Sequence, residues 1–248
     1  MLEAKNIMVF FENALALNDF SMEVKQGEIV GVIGSNSAGK TTLMNTASGL
    51  IIDMKIKEQR RGGGRITLYG EMLFNGQDVI NTRPYDRVKQ GLVLCRERHP
   101  IFPESDVEEN LKIAGYLRKR SEMRKTTDRV FGLFPPLVNL KKRKAGFLSG
   151  GEQQMLAIGM TLVVQPRLLL LDEPLLGLSP YLQLSLVEAV KKLRDESGIT
   201  ILICEQFARP ILPMIDRGYV IENGMLTLTG TGAELMDNPE VKAAYFGF

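Results

Sequence analysis

Gly34-Ser35-Asn36-Ser37-Ala38-Gly39-Lys40-Thr41 has the residue types and spacing of a loop that cradles phosphate. The glycines let the backbone curl so that several N–H groups face phosphate oxygens. The helix that follows adds partial positive charge at its N-terminus. Lys40 would reach the β- and γ-phosphates, and the Thr41 hydroxyl would take one position on Mg2+. A flexible glycine loop is the bland alternative, and the placement between a buried strand and a helix argues against it. A second group is Leu168-Leu169-Leu170-Leu171-Asp172-Glu173-Pro174, an apolar strand ending in two carboxylates. Alone it could be an ordinary solvated strand end. Beside a phosphate loop, Asp172 can support Mg2+ and Glu173 can orient and deprotonate a water. Side chains alternate along a strand, so the two carboxylates point in different directions.

A third segment is Leu148-Ser149-Gly150-Gly151-Glu152-Gln153-Gln154. Ser149 and Glu152 have the spacing of a capping box. A cap alone does not explain two adjacent glycines, which an ordinary helix start avoids. Glycines at this place let backbone N–H groups approach an anion closely.

Elements must hold these groups in place. Glu28 to Ile33 reads as a buried strand, with Gly34 opening the loop and Thr41 to Gly49 forming the helix. Arg167–Leu171 and Ile199–Ile203 read as further buried strands, Leu- or Ile-rich as parallel strands are. Asn75-Gly76 and Asn223-Gly224 predict hairpin turns, because both central positions need positive φ. Residues 105–133 and 150–165 are helical in pattern, with Ser105 to Glu108 as a capping-box start and Pro166 as a stop. This predicts an α/β core over 1–94 and 166–248 with a helical subdomain inserted at 95–165. The basic, glycine-ending stretch 51–65 and the run Lys141-Lys142-Arg143-Lys144 both read as solvated loop or turn; the latter could alternatively approach lipid headgroups.

Composition sets the outer bounds. The sequence has 248 residues, 44% of them apolar, which suits one domain with a sizeable core. Its 31 basic and 29 acidic residues nearly cancel, against a general nucleic-acid binder and against disorder. Two distant cysteines, Cys95 and Cys204, do not make a disulfide framework, so a reducing compartment is expected. No signal-peptide pattern opens the sequence. No apolar run approaches the 18 or so residues of a membrane span, so work at a membrane would require docking on another protein.

With its phosphate loop, LSGGE segment and acidic strand in this order, the chain resembles the ABC ATPases, whose diagnostic LSGGQ or LSGGE lies between the other two. Asp172 follows Ser149 by 23 residues. The resemblance implies a P-loop NTPase fold, α/β with a mixed parallel sheet, an antiparallel β subdomain and the inserted helical subdomain. It implies ATP and Mg2+ as cofactors, and a head-to-tail dimer with two ATP molecules sandwiched between subunits. Gly34 through Thr42 would bind nucleotide. Ser149 and Gly151, within the segment that includes Gly150 and Glu152, would contact the γ-phosphate held by the other subunit. Phe11 falls where an aromatic usually stacks on adenine, with core packing as its alternative. Leu176-Gly177-Leu178-Ser179 falls at the dimer-contact loop. Glu97 falls where a glutamine often touches Mg2+ and water. Ile101-Phe102-Pro103 falls near the groove for the transporter's coupling helix. Gln206 replaces the family's usual histidine; it can hydrogen-bond a γ-phosphate oxygen but carries no proton at neutral pH. His99, the one histidine, reads as a surface residue.

Glu205-Gln206, Ile101 to Pro103 followed by Val107 to Leu111, Gly177 to Pro180 and the ending Val241 to Gly247 are most similar to the LivF-like ATPases of branched-chain amino-acid importers. Arg96, Arg98, His99 and Pro100, Ser37 in the phosphate loop and a long 51–65 segment depart from that pattern, which leaves urea or amide importers as an alternative. The resemblance implies transmembrane permease subunits as partners, a second ABC ATPase subunit, identical or related, and indirectly a solute-binding protein. The place of work would be the cytoplasmic face of the plasma membrane. A non-hydrolysing regulatory module remains an alternative, motivated by Gln206. An ABC protein of DNA repair or translation is disfavoured, since neither a second cassette nor a long coiled coil is visible.

Overall fold

Ile29-Val30-Gly31-Val32-Ile33 is buried at every position, and its side chains split between two cores. Ile29 and Ile33 face one cluster, Val30 and Val32 the other, as the two-residue strand period requires. The computed structural model describes residues 1–97, 100–116 and 118–246. The expectations for Arg98, His99 and Gly247 fall outside the described residues.

The chain begins with strands β1 (Leu2–Phe11), β2 (Ala14–Val24) and β3 (Ile29–Ile33), then helices α1 (Lys40–Ser48) and α2 (Leu50–Arg60). Strands β4 (Ile66–Phe74) and β5 (Gln77–Asp78), helix α3 (Pro84–Gln90) and strand β6 (Leu92–Cys95) follow. Helices α4 (Val107–Ala114), α5 (Arg120–Leu133) and α6 (Gly150–Val163) come next, with 3-10 turns at Pro135–Leu140 and Ala145–Phe147. The remainder is β7 (Leu168–Asp172), α7 (Pro180–Ser197), β8 (Thr200–Glu205), β9 (Arg217–Glu222), β10 (Met225–Thr231), α8 (Gly232–Asp237) and α9 (Pro239–Tyr245).

One sheet runs β10-β9-β3-β8-β7-β6, parallel except for the β9–β10 hairpin; the other is antiparallel, β2-β1-β4-β5. Leu169, Leu171, Ile201 and Ile203 face the core shared with α4 to α7. Leu168, Leu170, Leu202 and Cys204 face the core shared with α1 and the antiparallel sheet. Parallel strands covered on both faces explain the continuous apolar runs. Both expected hairpins form: Asn75 and Gly76 take φ 52 and 77, Asn223 and Gly224 φ 49 and 79. Cys95 and Cys204 are both free thiols.

Three expectations need correction. Residues 51–65 are not a loop. Helix α2 occupies Leu50–Arg60, because Ile51 and Ile52 are buried while the lysines and arginines fan toward solvent, an amphipathic pattern its basic composition obscured. Only the glycine-rich end, 61–65, is irregular. The box that starts α4 sits one residue later than expected: Asp106 accepts from the Glu109 N–H at 2.8 Å, and Glu109 accepts from the Asp106 N–H at 3.0 Å. The helical stretch 105–133 is two helices, broken after Ala114. The Lys141–Lys144 turn is present, with Lys142 paired to Glu108 at 2.9 Å and Lys144 to Glu104 at 3.2 Å.

Candidate functional site

The phosphate loop leaves the end of β3 and is fastened at once, the Gly34 N–H donating to the Glu205 carbonyl at 3.2 Å. A Cβ at Gly34 would stand 2.5 Å from the Ile221 carbonyl oxygen, so only glycine fits this approach. Gly39 caps α1 with φ 112, a conformation glycine adopts without strain. Ser37 takes φ 65, which explains why glycine is common at its place.

Lys40 is 3% exposed. Its ammonium donates to the Gly34 and Ser35 carbonyls at 2.8 Å each and lies 3.0 Å from Glu173 Oε1. The Thr41 hydroxyl is 3.5 Å from Asp172 Oδ1. Asp172 closes β7 at 4% exposure, and burial pushes its carboxyl up to about 6; the adjacent Glu173 and the nearby Glu97 push the same way, while Thr41 opposes. A hydroxyl and carboxylates are hard oxygen donors, suited to Mg2+, which takes few protein ligands and keeps waters and phosphate oxygens. The Thr41–Asp172 pair fits that requirement.

A cavity of about 590 Å3 gathers Phe11, Asn36, Ser37, Gly39, Lys40, Thr41, Thr42, Glu97 and Glu173. Gly34, Ser35 and Ala38 belong to the same loop but do not line the cavity. Phe11 lines this cavity and also packs against the core below. Gln206 lines a smaller neighbouring cavity that also reaches Glu173. A separate cleft of about 550 Å3 near Lys125 and Arg167 contains none of these groups.

Ser149, Gly150, Gly151 and Glu152 are not brought to this cavity within one chain. Ser149 is the N-cap of α6: its hydroxyl accepts from the Glu152 N–H at 3.4 Å, and its N–H donates to Glu152 Oε2 at 2.8 Å. Ser149 and Gly150 are exposed.

Sequence reasoning missed two residues. Glu205, 3% exposed, accepts the Leu175 N–H at 2.8 Å, and burial pushes its carboxyl up to about 8. The acid ending an all-buried strand was the available signal. Arg87 is 0% exposed, and its guanidinium donates to the carbonyls of Thr46, Ala47, Val79, Ile80 and Thr82. It thus caps the C-terminal end of α1, where cations are favoured.

A family model described as ABC transporter matches residues 17–176. The branched-chain amino acid transport ATP-binding protein BraG of Pseudomonas aeruginosa is 37% identical over all of both chains. The probable LivF of Archaeoglobus fulgidus is 32% identical over 100% of this chain and 99% of its own. The lipopolysaccharide export ATP-binding protein LptB of Escherichia coli is 29% identical over 99% of this chain and 97% of its own. Among solved structures, the ADP conformation of MJ1267, an ATP-binding cassette of an ABC transporter, superposes with TM-score 0.82 at 27% identity, covering 100% of this chain and 99% of that one.

Proposed function

The chain belongs to the ABC transporter ATP-binding family, and on that premise we propose that this ATPase energises uptake of branched-chain amino acids or a similar small polar solute. The full-length similarity to BraG and LivF supports the cargo class, and the similarity to an export ATPase makes direction a point to test. The observation that carries the catalytic reading is the convergence of Lys40, Thr41 and Glu173 on one cavity, with Asp172 behind them at 3.5 Å from the Thr41 hydroxyl. Gly34 to Thr42 cradle the phosphates, with Phe11 beside the base. Mg2+ held at Thr41 and Asp172, with Glu97 nearby, would neutralise charge on the phosphates. Glu173 orients and deprotonates the attacking water, and Gln206 hydrogen-bonds the γ-phosphate.

Because none of Ser149 to Glu152 lines this cavity while Ser149 and Gly150 are exposed, the reading assigns the segment to the phosphate of a second copy or a related ATPase. Residues 95–165 act as the subdomain that carries them. The partners are permease subunits and, through them, a solute-binding protein, at the cytoplasmic face of the membrane. Among the described residues no helix is long and apolar enough to cross a membrane. The test is phosphate release with labelled leucine or urea uptake in vesicles holding the permeases and this chain. Leucine uptake coupled to phosphate release supports the reading, and urea uptake alone replaces the cargo. ATP binding without release favours a regulatory module, the second reading that Gln206 motivates.

A further inference from the structure

Two consecutive residues at the end of β8 hold the turn that follows β7. The Cys204 carbonyl accepts from the Glu173 N–H at 2.9 Å, and Glu205 Oε1 accepts from the Leu175 N–H at 2.8 Å. The turn needs such restraint, because Glu173 takes φ 46, a left-handed conformation that a non-glycine residue keeps only when its surroundings enforce it. Leu175 is the node of the segment. Its side chain is buried, its carbonyl accepts from the Leu178 N–H at 3.2 Å, and the Gln183 amide donates to the Leu178 carbonyl at 3.1 Å as α7 begins. Without an acceptor at Glu205, a buried backbone N–H would have no partner.

We infer that Glu205 is a positioning residue: its carboxyl holds the Leu175 N–H and so fixes the loop from Glu173 to Gly177 in register with Gln206. Both sides of that bond face one small cavity, lined by Glu173, Leu175 and Gly177 on one side and Glu205 and Gln206 on the other. Through this contact, the direction of the Glu173 carboxylate and the outward presentation of Leu176 and Gly177 depend on the strand that carries Gln206. The inference rests on the reading of Glu173 as the base. Glu205 itself touches no reacting atom in that reading.

The experiment compares wild type, Glu205→Ala and Glu205→Gln in two ways. Amide hydrogen exchange is followed across the intact chain, and ATP turnover is measured with the permeases. A glutamine oxygen can still accept the Leu175 N–H; alanine offers nothing. The expected result in Glu205→Ala is exchange at Leu175 to Gly177 faster by on the order of tenfold, with β3 and β7 amides unchanged. Its kcat falls by on the order of tenfold while KM for ATP stays within about twofold, since a misaimed base costs rate rather than binding. Glu205→Gln recovers both. Unchanged exchange at Leu175 in Glu205→Ala, or a glutamine variant no better than alanine, overturns the inference. If alanine prevents folding, Glu205→Thr is read the same way, since threonine suits a strand but is too short to reach Leu175. A wild type with no phosphate release sinks the proposed function alone, because the exchange comparison still decides this one.

Discussion

The Lys40 ammonium and the Glu173 carboxylate are 3.0 Å apart, although they stand 133 positions apart in the chain. Lys40 opens α1 and Glu173 follows β7, so this pair joins the phosphate loop to the acidic strand directly. Lys40 is almost buried, and its ammonium also donates to two carbonyls of its own loop. Phosphate oxygens would enter among these same groups.

Lys40→Ala removes the cation that neutralises charge at the β- and γ-phosphates. Such electrostatic stabilisation acts strongly in a site shielded from water. The expected loss in kcat is about a hundredfold or more, with weaker ATP binding. Phosphate release and nucleotide titration on the same preparation check both. Retention of near-normal turnover would remove Lys40 from the mechanism.

Glu173→Gln keeps an oxygen for Lys40 but cannot take a proton from water. Turnover should fall by roughly 10²–10⁴, the range general-base help provides. ATP should then persist and hold two copies, or this chain and its related partner, together. Size-exclusion chromatography with ATP reads this, and a purely monomeric profile with every candidate partner counts against the paired-subunit reading.

The phosphate loop, the acidic strand end and the Ser149–Glu152 cap were legible in the sequence because each is local. Their geometry is set within about eight residues by glycine conformation, strand alternation and helix-end hydrogen bonding. The two Asn-Gly turns were legible for the same reason. Helix α2 was not, because the partners that bury Ile51 and Ile52 lie elsewhere in the chain while its basic residues suggested a loop. The role of Arg87 was illegible for a related reason, and that of Glu205 was signalled only by an acid at the end of a buried strand. Arg87 is satisfied only by carbonyls gathered from separate segments, and Glu205 by an amide 30 residues earlier.

Arg87→Ala should destabilise the fold by about 3 kcal/mol, through several buried carbonyls left without donors and an uncapped end of α1. Burial pulls the guanidinium down to about 10, so it remains charged at neutral pH. Arg87→Lys keeps a charge but offers three donors in place of a five-donor fork, and should recover only part of the loss. Urea unfolding midpoints measure both. A change within about 0.5 kcal/mol for alanine, the range of ordinary surface substitutions, would mean the carbonyls find other partners.

Stability should fall as pH rises from about 6 to about 8, and Glu205 should be the cause. Its carboxyl has an ordinary value of 4.5 and is raised to about 8, chiefly by burial. Between those values the unfolded chain has released the proton that the native state keeps. Raising the pH therefore favours unfolding, by at most about 1.4 kcal/mol per pH unit for one proton. Asp172 acts with the same sign, but its window closes near 6, which leaves the upper interval to Glu205. Glu205→Gln keeps the hydrogen bond to Leu175 and removes the titration. Urea unfolding of wild type and Glu205→Gln at pH 6 and pH 8 should show the glutamine variant gaining on wild type at the higher pH. An equal gap at both pH values would mean that Glu205 is already ionised at pH 6 in the folded protein.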